Sequence, residues 1–364
     1  MKAHIDDIQI LRAVAALAVL FFHAERELSA GGSDALAPLF VGLAWLGQAG
    51  VDIFFVISGF IMYFVHRGDF GRPGMMGRFL LRRLVRIVPT YWLLTTLTVA
   101  GLVLLPGLFN SRSVDWTWIG ASYLFIPWQS PAGDISPPVG PGWTLNFEMY
   151  FYVIFGAVLL VPRRVALPVM TVFMVGSVML GLILKPGLPI LAMMSGALLI
   201  EFLCGIWIAW AFTRGMTVGG AARIALVAAG LAVLCVSPVF YSNGDLATWW
   251  RLPFFGLPAA ALVAATILRP GLQGAERAGS PVSRLFVALG DSSYALYLSH
   301  IFTLRIIDLV LARLFPQLPL ALDFVLLVVA AVVVGHLFFL WVERPLYRFL
   351  KQRLPGGRAA EVPA

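Results

Sequence analysis

The sequence predicts an all-α membrane protein of about ten transmembrane helices with both termini in the cytoplasm. Three observations carry that prediction. Of the 364 residues, 60% are apolar and only 12% charged, a balance that soluble domains do not show. The apolar stretches are long and continuous along the whole chain, which argues for helices over the alternating pattern of a barrel. The basic residues fall mostly in alternate loops, as the positive-inside rule requires. That distribution also accounts for the net charge of +8 as a response to membrane lipid and gives no reason to expect a nucleic-acid partner.

The expected spans lie near residues 8–27, 43–65, 85–106, 143–162, 166–185, 190–212, 221–241, 252–268, 286–312 and 321–345. The first has a short apolar core and competes with a cleaved signal peptide. Asp6 and Asp7 precede it, Arg12 abuts the core and no clear A-x-A site follows, so it is read as a span. The second enters through GVDIFFVISGF. The third is led in by GRFLLRRLVRIVPTYW, where Arg78, Arg82 and Arg86 recur every four residues with Arg83 beside them. The loop 107–142 is long enough to cover a site. Its tryptophans, Trp116, Trp118 and Trp128, suit an interfacial belt better than a sugar platform. Cys204 and Cys235 both lie in apolar spans and read as inert core residues. The chain thus divides into one transmembrane domain, 1–354, and a flexible tail, 355–364.

The first span carries Arg12 and His23, eleven residues apart. Eleven steps of 100° are about three full turns, so both side chains share one helix face, about 16 Å apart along the axis. An ionisable residue inside a bilayer is a functional hypothesis by default. Snorkelling of each residue to its nearer surface is the ordinary alternative. Counting rise from the span ends puts His23 about 8 Å below the outer face. The same count puts Asp52, Glu148 in PGWTLNFEMYFY and His300 in SYALYLSH at about that depth. A histidine beside a carboxylate is what general-base catalysis needs; separate interhelical hydrogen bonds are the plainer reading. On the opposite face the guanidinium stripe suits phosphates, and equally suits anchoring to anionic lipid. Glu201 and His336 receive no role, and Glu343 reads as an ion-paired helix stop. Walker A, HExxH, GxSxG and CxxC signatures are all missing from the sequence.

Taken together, LRAVAALAVLFFHA with its Arg-x10-His spacing, GVDIFFVISGFIM, RRLVRIVPTYW, PGWTLNFEMYFY and SYALYLSH resemble the acyltransferase-3 family of integral membrane acyltransferases. The resemblance runs from the first span to WVERPLY, and the wording is similar to that of stand-alone exopolysaccharide O-acetyltransferases of the succinoglycan type. It implies transfer of an acyl group, usually acetyl, from cytoplasmic acyl-CoA to a sugar hydroxyl. The acceptor would be an extracytoplasmic polysaccharide or a lipid-linked oligosaccharide, and the protein would sit in the bacterial inner membrane. His23, Glu148 and Asp52 are then the expected catalytic residues. Arg12, Arg82, Arg83 and Arg86 are expected to hold acyl-CoA, and His300, Trp143 and Asn146 to meet the acceptor. No metal is implied. A transporter or flippase for a lipid-linked saccharide also accommodates ten spans with buried charges.

Overall fold

The computed structural model describes residues 6–30, 42, 45–104, 114–240, 250–271 and 280–354; the predicted tail, 355–364, lies outside them. The described residues form helices and no strands. In chain order these are α1 (Asp6–Ala30), α2 (Ala49–His66), α3 (Met75–Leu104), α4 (Trp116–Tyr123) and α5 (Trp143–Val158). Then come α6 (Arg163–Leu184), α7 (Pro189–Met194), α8 (Leu198–Thr213), α9 (Gly220–Phe240) and α10 (Leu257–Ile267). The last four are α11 (Pro281–Asp291), α12 (Ser293–Leu314), α13 (Leu320–Phe338) and α14 (Arg344–Gln352).

Eight helices among the described residues are long and apolar enough to cross a membrane, so the chain is a multi-pass membrane protein. They match eight of the ten spans expected from sequence. The other two are shorter. α5 has 16 residues. The run Leu252–Ile267 starts with a π-helical turn, Leu252–Gly256, before α10. At an α-helical rise of 1.5 Å per residue, α5 alone measures about 24 Å, short of a hydrocarbon core of about 30 Å.

α1 is the central pillar, packed against α2, α10, α11, α12 and α13. In lipid the hydrophobic effect does not press helices together, so close approach rests on small residues. A Cβ on Gly50 would fall on the Ala15 carbonyl, which lets α2 lie against α1. Between α2 and α8 the fit is reciprocal: a Cβ on Gly59 would strike the Phe202 carbonyl, and one on Gly205 the Val56 carbonyl.

Polar contacts sort the two ends of this bundle. At one end Arg269 pairs with Asp7 at 2.6 Å, and Arg86 with Glu343 at 2.5 Å. At the other, Arg305 pairs with Glu27 at 3.1 Å. The segment after α4 folds over this second end, held by Trp118 Nε1–H donating to the Ser136 carbonyl at 2.9 Å. Trp118 is therefore a buried anchor and not part of an interfacial belt, whereas Trp116 and Trp128 are exposed.

Candidate active site

At the Glu27 end, α1, α2, α12, the turn Gly140–Gly142 and Arg251 enclose a cavity of about 390 Å³. His23, Arg26, Pro141, Trp143, Arg251 and Tyr297 are in its wall. The hydroxyls of Thr144 and Tyr297 both reach the Pro141 carbonyl, at 3.0 and 3.1 Å, and this fixes the turn as part of the wall.

The state of His23 follows from its partner. Its Nδ1 lies 3.0 Å from the Val19 carbonyl one turn back. A carbonyl only accepts, so Nδ1 carries the proton, and in the neutral ring Nε2 keeps the lone pair. His300 is held identically, with Nδ1 3.1 Å from the Leu296 carbonyl. The two rings lie 4.8 Å apart between centroids, tilted by 60°. Two helices thus present two imidazoles in one tautomer, each with a basic Nε2.

His300 does not itself line the cavity. It is 1% exposed, behind His23, and was expected to touch the acceptor. Trp143, also expected to meet the acceptor, lines the cavity. Asn146, one turn further along α5, is buried with Oδ1 lacking a hydrogen-bond partner.

Asp52 is also tied up. Arg251 donates from Nε to Oδ1 at 2.9 Å and from Nη2 to Oδ2 at 2.7 Å, and Nη2 also reaches the Gln48 carbonyl at 3.0 Å. Both side chains are shut away, at 0% and 1% exposure. Such a bidentate pair positions the guanidinium, which lies over the Trp143 and Phe255 rings; it leaves the carboxylate no path to His23 as its orienting partner. Sequence reasoning gave Arg251 no role in the site. The one local signal is the Pro after Leu252, which marks the π-helical turn that Arg251 caps. Glu201 of α8 stands beside this pair.

The opposite end gathers a second cluster. Arg12 bonds Gln9 at 3.3 Å and lies close enough to Arg86, Glu343 and Glu148 to feel their charges. Arg86 sits over the rings of Tyr294 and Tyr347, and Arg83 over Phe79 and Tyr152. Arg83 Nε and Arg86 Nη2 are buried donors without a hydrogen-bond partner. Unmet guanidinium donors beside a third arginine are suited to a phosphate group, which supplies acceptor oxygens and negative charge. Glu343 reaches this cluster from a π-helical turn, Phe339–Glu343, so the expected helix stop is ion-paired across the bundle to Arg86.

Two expected members are elsewhere. Arg82 is exposed, near the His66–Asp69 pair, because the face of α3 that packs inward holds Arg83 and Arg86, three residues apart. Glu148 does not share the His23 layer. Tyr152 donates to its Oε1 at 2.5 Å and Ser58 at 3.2 Å. The depth count from sequence started α5 at the membrane surface, but Trp143 already lines the cavity, so Glu148 lies about 7.5 Å further in. Its bonding partner Tyr152 touches Arg83, and Glu148 belongs with the arginine cluster.

A family model described as an acyltransferase domain matches residues 5–340. The exopolysaccharide production protein ExoZ of Rhizobium meliloti (strain 1021) is 34% identical over 325 residues, covering 87% of this chain and 96% of that protein. The acyltransferase MdmB of Streptomyces mycarofaciens is 26% identical, covering 96% of this chain and 94% of its own. The membrane-bound transacylase BcsY of Komagataeibacter xylinus, so named on a provisional basis, is 29% identical over 77% of this chain and 73% of its own. No solved structure matches.

Proposed function

The chain belongs to this acyltransferase family, and from that premise we propose that it moves an acyl group, acetyl in the simplest case, from acyl-CoA to a hydroxyl of a polysaccharide or its lipid-linked precursor. A polysaccharide acceptor is favoured by the printed name of the R. meliloti relative. We place the arginine cluster at the cytoplasmic face and the His23 cavity at the outer face of a bacterial inner membrane. The distribution of basic residues supports that orientation, with α5 and the Leu252–Ile267 run as the two shorter crossings that complete ten.

In this reading Arg12, Arg83 and Arg86 hold the phosphates of the donor. The pantetheine arm extends toward the cavity along α1, over the roughly 16 Å that separates Arg12 from His23. The acceptor hydroxyl enters beside Trp143. His23 Nε2 takes its proton, the oxygen bonds to the thioester carbonyl carbon, the C–S bond breaks, and the thiolate leaves with the proton from His23. Asp52 acts through Arg251, which it fixes in the cavity wall, and Glu148 holds the arginine end through Tyr152.

The observation that carries this reading is the His23 tautomer: a fixed imidazole with its basic nitrogen unspent, in a cavity wall, on the helix that also carries Arg12. The test is purified protein in lipid with labelled acetyl-CoA and a panel of glycans. Protein-dependent label in a glycan is the expected result. Movement of saccharide across the bilayer without any acyl transfer would instead identify a transporter.

A further inference from the structure

The arginine end of the bundle carries a charged face that the proposed reaction leaves unused. α13, the π-helical turn and α14 run on as helix from Leu320 to Gln352, 33 residues in all. About twenty residues are enough to cross a hydrocarbon core of about 30 Å. A crossing that begins at Leu320 is complete by the π-helical turn, and α14 lies at the level of the lipid headgroups or beyond.

α14 holds no acidic residue. Arg344 and Arg348, four residues apart, are exposed on one side of it, and the exposed Arg353 follows at its end. None of the three makes an ion pair among the described residues. Bare rings stand among these cations. Trp341, in the π-helical turn, is 71% exposed and Phe349 is 52% exposed, with the Arg353 guanidinium 4.1 Å from the Phe349 ring centre. A helix facing only water gains nothing from uncovered Trp and Phe, and one facing only acyl chains does not carry three unpaired arginines. Both together suit a helix in the headgroup layer, with its rings toward the acyl boundary and its guanidinium groups on phosphates.

We propose that this face of α14 is a binding site for anionic phospholipid, and that the bound headgroups brace the arginine cluster. The link between the two is short. Glu343, the residue before Arg344, is bound to Arg86 at 2.5 Å. Tyr347, the residue before Arg348, has its ring centre 5.5 Å from the Arg86 guanidinium. α14 packs on α3, the helix that carries Arg86. A phosphate held by Arg344 and Arg348 therefore fixes the outer side of a helix whose inner side grips Arg86.

Native mass spectrometry of the protein released from vesicles of equal parts phosphatidylglycerol and phosphatidylcholine counts the lipids it keeps. The wild type is expected to keep phosphatidylglycerol in preference, by about tenfold. It is also expected to melt at a higher temperature with that lipid than in phosphatidylcholine alone. Joint Arg344→Gln and Arg348→Gln is expected to lose most of the preference and of the gain in melting temperature. In phosphatidylcholine alone this variant should melt as the wild type does, which shows that it folds. Arg163→Gln with Arg164→Gln removes the same charge from exposed positions at the start of α6 and is expected to keep both effects. An equal loss in the two double variants would mean general attraction of a basic surface to lipid, and overturns the proposal. A wild type without preference for phosphatidylglycerol overturns it too, as does displacement of the lipid by inorganic phosphate, the mark of a plain anion site.

Discussion

Arg251 grips both oxygens of Asp52, at 2.9 and 2.7 Å, although the two residues are 199 positions apart and neither reaches solvent. One charge without the other would be stranded in an apolar bundle. Asp52→Asn or Arg251→Gln alone should therefore cost about 3–5 kcal/mol of stability, while replacing both by leucine should cost less than the two single changes together. Thermal unfolding of the four proteins in one detergent checks this. Additive single-site losses would mean that the pair is not coupled.

At the other end, Arg83 offers the cleaner test of donor binding. Arg86 is bound to Glu343, so its removal strands a buried carboxylate and confuses affinity with folding. Arg83 makes no ion pair among the described residues, and its Nε is unmet. Arg83→Gln should weaken CoA binding by about ten- to hundredfold, the worth of a charge-assisted hydrogen bond, with little change in melting temperature. Calorimetric titration with CoA measures it. If affinity stays at the wild-type value, the stripe is a lipid anchor. Arg82→Gln, at an exposed position, should leave affinity unchanged.

Glu148 is tied to Tyr152 and Ser58 and has no bond to His23. Glu148→Gln should thus lower turnover by at least about tenfold, through the lost charge at the arginine end, yet leave the pH dependence set by His23 where it was. A shifted acid limb in that variant would show that Glu148 reaches His23 during the reaction.

How much of this was legible depends on whether the local helix stayed regular. Arg12 and His23 lie on one uninterrupted α-helix, and a count of 100° per residue finds their shared face from sequence alone. His300 comes to the layer of His23, as the count put it, because SYALYLSH lies within one helix. Three placements were beyond a regular count: the depth of Glu148, the inward side chain of Arg251 and the partner of Glu343, which is ion-paired as expected but across the bundle to Arg86. Each follows or borders a break in α-helical geometry: the turn Gly140–Gly142, the π-helical turn after Arg251, and the one ending at Glu343. A π turn inserts a residue and rotates all that follows by about 100°, so a periodic reading cannot see which face Glu343 takes. Arg82 failed differently. A stripe at every fourth residue is a real pattern, but only packing decides which side of it faces inward.

In the proposed reaction His23 is the residue on which the chemistry turns. Its Nδ1–H is fixed on the Val19 carbonyl, so the only basic atom it can offer is Nε2, and it stands in the cavity wall. A positioned general base is worth about 10²–10⁴ in rate. His23→Ala should insert, fold and bind CoA through the arginines about 16 Å away, and lose acyl transfer by that factor. His23→Gln should do no better, since an amide oxygen accepts a hydrogen bond but does not take the proton near neutral pH. Rapid quench of the wild type with labelled acetyl-CoA and no acceptor separates two routes. Label on His23 means an acyl-imidazole intermediate, and unlabelled protein means direct attack by the hydroxyl. The half-buried ring, with Nδ1 held and a second imidazole at its back, favours direct attack, because acylation at Nε2 would require the bonded Nδ1–H to be given up for the ring to become neutral. Near-normal transfer by His23→Ala, with the protein folded and CoA bound, would remove His23 from the reaction.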